Sequence, residues 1–71
     1  MDYNYYLLCK YDLAEGIVRT KVLTAAEAEA AGLEDDDVYW ENGVKVYVDG
    51  FYDMESLQHY INSLTDARPE E

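Results

Sequence analysis

Residues 38–48 read VYWENGVKVYV: two runs of β-branched and aromatic residues around Asn42-Gly43. A type I′ turn needs positive φ at both central residues, and Asn-Gly is the dipeptide that meets that need best. The stretch predicts a tight hairpin. With a two-residue turn, Glu41 lies opposite Val44, Trp40 opposite Lys45, Tyr39 opposite Val46 and Val38 opposite Tyr47, and opposed residues share a face of the sheet. That register sends Val44, Val46 and Val48 toward the helices and gathers Trp40, Lys45 and Tyr47 on the other face, in an exposed aromatic patch. A three-residue loop with a bulge reverses the parity and puts Trp40 in the core.

Upstream, YNYYLLCKY (3–11) and IVRTKVL (17–23) flank the turn-like DLAEG and read as a second hairpin. Arg19 and Lys21 share a face by their spacing, and Lys10 joins them if the loop has an even number of residues. Thr24 and Glu27 have the spacing of a capping box, and Gly32 stands where a left-handed stop is wanted, so a short alanine-rich helix of about two turns lies between them. Downstream, Asp49-Gly50 marks a bulge or exit turn. Asp53 offers an N-cap, and Met54, Leu57, Tyr60, Ile61 and Leu64 recur at helical spacing over 54–64. TDARPEE, 65–71, has little to bury and is expected to be a disordered acidic tail. The resulting expectation is one α+β domain over 1–64, in the order ββαββα. It has a four-stranded antiparallel sheet with both helices on one face.

A chain of 71 residues buries only about 60% of its unfolded surface, so the core is small. Sixteen Asp and Glu oppose five Lys and Arg for a net charge of -11, and self-repulsion at that density favours a monomer or at most a weak dimer. One Trp, one Phe and eight Tyr separate this composition from a disordered acidic tail. No stretch approaches the ~20 apolar residues of a membrane span and the N-terminus lacks signal-peptide features, so a cytoplasmic address and no membrane partner are expected. Direct binding to DNA, RNA or anionic lipid is disfavoured by charge, which leaves a basic protein surface as the expected partner. The single Cys9 sits in an apolar run and reads as a reduced core thiol.

GLEDDDVYWENG, 32–43, places Glu34, Asp35, Asp36 and Asp37 in a row before Tyr39 and Trp40. The spacing lacks the alternate acids, central glycine and closing glutamate of an EF-hand loop, so no metal or other cofactor is expected; Asp35 and Asp37 with Asp49 form the one set of acids that could gather on a cation. In an extended segment, residues i and i+2 stand about 6.6 Å apart on one side, near the spacing of successive phosphates on a strand. Asp35 and Asp37 would meet it, Glu27, Glu29 and Glu41 would extend the row, and Tyr39 or Trp40 could stack on arginine planes. A charge of -11 also exceeds the magnitude of about 2 to 8 that serves solubility. His59 falls opposite the apolar stripe of its helix, as a solvated residue. The only serines, Ser56 and Ser63, share that helix, and the four glycines are isolated, so no catalytic machinery is predicted and the protein is read as a non-enzyme.

In size, acidity, compact α+β pattern, the EDDD run and the flanking Tyr39 and Trp40, the chain resembles small acidic phage-encoded anti-defence proteins of the anti-CRISPR and anti-restriction type. The resemblance is one of general character. It implies a non-catalytic inhibitor that occupies the nucleic-acid-binding surface of a nuclease or CRISPR effector in the host cytoplasm. On this reading Glu34, Asp35, Asp36, Asp37 and Glu41 stand in for phosphates, Glu27 and Glu29 support them, and Tyr39, Trp40 and Tyr47 anchor. The alternative is a structural or adaptor subunit that binds a protein partner through a tyrosine-rich sheet face.

Overall fold

The computed structural model describes residues 3–70. The strands β1 (Tyr5–Asp12), β2 (Ile17–Thr24), β3 (Val38–Glu41), β4 (Val44–Phe51) and β5 (Ala67–Pro69) and the helices α1 (Ala25–Ala30) and α2 (Met54–Ser63) form an α+β domain. The sheet has five strands in the order β3-β4-β1-β2-β5, mixed because β5 runs parallel to β2 while every other pair is antiparallel.

The Asn42-Gly43 turn folds as its chemistry requires, with φ of 51° and 80°. The register beside it pairs Val38 with Tyr47, Tyr39 with Val46, Trp40 with Lys45 and Glu41 with Val44, as the two-residue turn predicts. In the other hairpin a four-residue connection sets Lys10 opposite Arg19 and Leu8 opposite Lys21, so the three cations share a face. Helix α1 begins at the expected capping box, with the Glu27 amide donating to Thr24 Oγ1 and the Thr24 amide to Glu27 Oε1. It ends in a Schellman pattern: Gly32 N–H donates to the Glu29 carbonyl and Leu33 N–H to the Ala28 carbonyl, with Gly32 at φ 72°. Asp53 caps α2 by accepting from the Ser56 amide at 2.7 Å.

Asp49 and Gly50, expected to mark a bulge or exit turn, continue the β4 ladder opposite Leu7 and Tyr6, and two larger features also differ from the sequence expectation. The helices lie on opposite faces rather than on one. Ala28 of α1 packs with Leu8, Leu23, Val46 and Val48, whereas Leu57 of α2 packs with Leu7, Cys9 and Val18. The physical reason is β1, the central strand, whose consecutive residues Leu7, Leu8 and Cys9 are all buried and therefore need cover on both faces. The second difference is the C-terminus. Where a tail over 65–71 was expected, residues 67–69 pair with β2, the Val18 amide donates to the Asp66 carbonyl at 3.1 Å, and the Glu70 amide donates to the Thr20 carbonyl at 2.7 Å. These bonds occupy backbone groups that β2 would otherwise leave open on a sheet edge. Helix α2 is thus the crossover from β4 to β5, two strands that run the same way and stand on either side of β1 and β2.

Candidate functional site

The start of β1 pairs with the ends of β2 and β4, so α1, the 34–37 segment, Asp49 and the first turn of α2 all lie toward one end of the sheet. No lysine or arginine occurs between residues 22 and 44 or between 46 and 67. The opposite end, with the 13–16 and 42–43 turns, contains the ion pairs. Lys10 Nζ meets Glu41 at 3.2 Å and Glu70 at 2.9 Å; Arg19 meets Glu15 at 2.6 Å and Asp12 at 3.9 Å. Its hydrogen bond to Glu70, more than the one to Glu41, raises the Lys10 pKa above that of a free lysine. Among the described residues, no carboxylate of α1, the 34–37 segment or the first turn of α2 enters an ion pair. Among the described residues the charge is therefore polarised: the ion pairs gather at one end, while the carboxylates of the other have only Lys21, near Glu27, beside them and no ion pair.

The 34–37 segment is not the extended row that phosphate-like spacing assumed. Asp36 adopts φ 69°, the Asp37 amide donates to the Glu34 carbonyl, and the Glu34 amide donates to Asp37 Oδ2 at 2.8 Å. Asp36 N–H donates to the Val48 carbonyl while Val48 N–H donates to the Asp37 carbonyl, so two residues oppose one and the segment joins β4 as a bulge. Asp35 is half-buried; its Oδ1 accepts from the Gly50 amide at 2.8 Å and its Oδ2 from the Tyr3 hydroxyl at 3.2 Å. Tyr3 in turn lies over Gly50, where an added Cβ would stand 2.5 Å from its ring, and beside Tyr52 at a centroid distance of 4.8 Å.

The sequence-predicted residues therefore separate by role. Asp35 and Asp37 are occupied in holding the loop, Glu27 in the helix cap and Glu41 in an ion pair with Lys10. Glu29, Glu34 and Asp36 are exposed, and their side chains take no part in those bonds. Asp49, which joins Asp35 and Asp36 in space, is half-buried. Burial first, then the nearby Asp35 and Asp36, push its pKa above the ordinary carboxylate value. Oxygen atoms of Asp35, Asp36 and Asp49 lie within 4.8 Å of one another, with Asp36 in the place that the sequence reading gave to Asp37. Such a trio is the only grouping among the described residues with the oxygen donors a hard cation requires.

On the α2 face, the helix packs on Phe51 at the far end of β4 and leaves the turn end of the β3–β4 hairpin uncovered. A cleft of about 810 Å³ opens there, lined by Tyr11, Trp40, Lys45, Tyr47, Asp49 and Tyr60 among others, with Leu13 at the rim. Trp40 is 67% exposed and Leu13 90%. Lys45 Nζ stands 6.0 Å from the Trp40 ring centroid and 5.1 Å from that of Tyr47, and Tyr11 meets Tyr47 edge-on at 5.1 Å. Tyr39 points to the other face, half-buried against the α1 cluster, which removes it from the patch. The cleft was half legible: the hairpin register gave Trp40, Lys45 and Tyr47, but Tyr11, Leu13 and Tyr60 come from elements whose approach no local pattern records.

Cys9 is buried and its thiol is pushed up to about 11 by burial, which leaves it protonated and unreactive. His59 is exposed on α2. No helix among the described residues is long and apolar enough to cross a membrane. No protein-family model, curated protein or solved structure matches the chain.

Proposed function

We propose that this protein is a non-catalytic inhibitor that docks its bare acidic end on the basic nucleic-acid-binding surface of a nuclease or CRISPR effector and excludes the nucleic acid. The observation that supports the reading is the polarisation of charge. A fold that needed acids only for hydration would scatter them, and one that needed them for stability would pair them; here the pairs are confined to one end. Carboxylates held on a hydrogen-bonded loop lose little freedom when they meet lysines and arginines already arranged for phosphates, which favours binding. Glu29, Glu34 and Asp36 are the phosphate surrogates on this reading. Asp35 and Asp37 act behind them as the residues that set the loop.

The test follows from that division. A variant carrying Glu29→Lys, Glu34→Lys and Asp36→Asn leaves every loop-holding bond in place, and asparagine tolerates the left-handed backbone at position 36. Wild-type protein immobilised in a bacterial lysate is expected to retain a nucleic-acid-binding protein at low salt, to release it on adding duplex DNA or about 0.5 M salt, and to lose it in the triple variant. Retention by the variant, or a captured partner that still binds its nucleic acid, would overturn the reading.

The alternative, an adaptor that binds through its sheet face, is favoured by the exposed Trp40 and Leu13. It predicts that Trp40→Ala abolishes capture while the triple variant leaves it unchanged.

A further inference from the structure

We propose that the cleft between α2 and the β3–β4 hairpin takes the arginine side chain of a basic segment of the partner protein. This rests on the reading of the chain as a binder of basic proteins, and it names the chemistry of the contact. The ring faces of Trp40 and Tyr47 are already placed around a cation, because Lys45 Nζ lies 6.0 and 5.1 Å from their centroids. Asp49 lines the same cleft, half-buried, with neither an ion pair nor a side-chain hydrogen bond among the described residues. Burial and two neighbouring carboxylates disfavour its ionised form, and the attraction of an incoming cation offsets that cost. The net charge of -11 repels an anionic occupant.

Arginine fits these features better than lysine. Its guanidinium is planar, weakly hydrated and able to stack on an indole or phenol ring while donating two hydrogen bonds to one carboxylate. Lysine offers a hydrated point charge, and Lys45 already supplies one. Leu13 at the rim and Tyr60 on the helix wall give apolar cover for the methylene stem. A volume of about 810 Å³ exceeds one side chain, so the residues flanking the arginine enter with it.

Trp40 is the only tryptophan in the chain, so its fluorescence reports this cleft alone. The probes are a synthetic peptide alternating glycine and arginine and its lysine counterpart of equal charge, titrated while the amide resonances of residues 34–37 are followed by NMR. The arginine peptide is expected to shift Trp40 emission at about fivefold lower concentration than the lysine peptide, which is the factor that the second hydrogen bond of a guanidinium fork to the Asp49 carboxylate supplies. Asp49→Asn should erase that preference. Equal responses to both peptides, a silent Trp40, or an Asp49→Asn variant that still discriminates overturns the proposal; so does a Trp40 shift that follows protein concentration without peptide, which indicates a second copy of the chain. The two readings fail separately: amides 34–37 that move under either peptide while Trp40 stays silent retain the acidic end and reject the cleft, and the converse rejects the acidic end.

Discussion

Asp35 shows how one carboxylate in a run of four takes a role its neighbours lack. It accepts from the Gly50 amide and the Tyr3 hydroxyl, and Tyr3 covers Gly50 so closely that no side chain fits there. The negative charge of Asp35 is also the main reason the Tyr3 hydroxyl holds its proton more tightly than a free tyrosine. Asparagine at 35 keeps an acceptor for the Gly50 amide but exchanges the charge-assisted bond from the Tyr3 hydroxyl for a neutral one, its amide donating to the phenolic oxygen. We predict that Asp35→Asn destabilises the protein by about 1 kcal/mol in urea unfolding, and that Gly50→Ala costs about 1–3 kcal/mol by displacing the Tyr3 ring. The double variant should cost less than the sum, because both changes break one unit. Glu34→Gln and Asp36→Asn, on either side, should stay within about 0.5 kcal/mol of wild type. The sequence shows four equivalent acids here, and only the fold separates them.

At the scale of elements, β5 is the piece with the least sequence signal and a definite structural task. Val18 sits opposite Tyr11 in the β1–β2 ladder, but its amide donates outward, to the Asp66 carbonyl. Truncation after residue 65 removes that acceptor and also the Glu70 carboxylate that Lys10 binds at 2.9 Å. Hydrogen exchange at the Val18 amide is expected to accelerate toward the rate of an exposed edge strand, while the Leu8 and Val48 amides, in the strands and register that remain, keep their protection. Equal loss at all three sites would mean that β5 is required for the whole domain rather than for one edge. Each helix, by contrast, could be placed from its caps, since Thr24, Glu27 and Asp53 bond as their types and spacings require. Which face each helix covers was not written in its own residues, because an apolar stripe specifies burial and not against what.

For the whole molecule, the bare acidic end sets the response to solution conditions. Like charges crowded there oppose folding, so the urea midpoint should rise as salt is added through about 0.5 M and then level off, as repulsion is screened. The pH dependence has two signs. Burial and neighbouring charge raise the pKa of Asp49, so its contribution to stability is present in acid and lost as pH rises through its folded pKa. Hydrogen bonds to the Ser56 amide and within the Thr24 capping box lower those of Asp53 and Glu27, so their contributions are present above the ordinary carboxylate range and lost as pH falls through the folded values. Asp49→Asn should therefore stabilise the protein at neutral pH, with a gain that shrinks on acidification; a gain unchanged down to pH about 3 would assign it to something other than charge.

Local chemistry written in short spans was determined by the sequence alone. Asn42-Gly43 set a turn and through it the register of Trp40, Lys45 and Tyr47; Thr24, Glu27, Gly32 and Asp53 set where the helices begin and stop; the composition set the charge. These features depend on residues a few positions apart, whose backbone preferences and hydrogen bonds need no distant partner. The tertiary structure alone decided that α1 and α2 take opposite faces, that residues 67–69 close an edge, that Asp35 and Asp37 are bound inward, and that Asp49 faces an aromatic cleft. Each of those outcomes depends on residues far apart in the chain competing for the same apolar surface or open backbone group, and that competition is settled only when the central strand is buried from both sides.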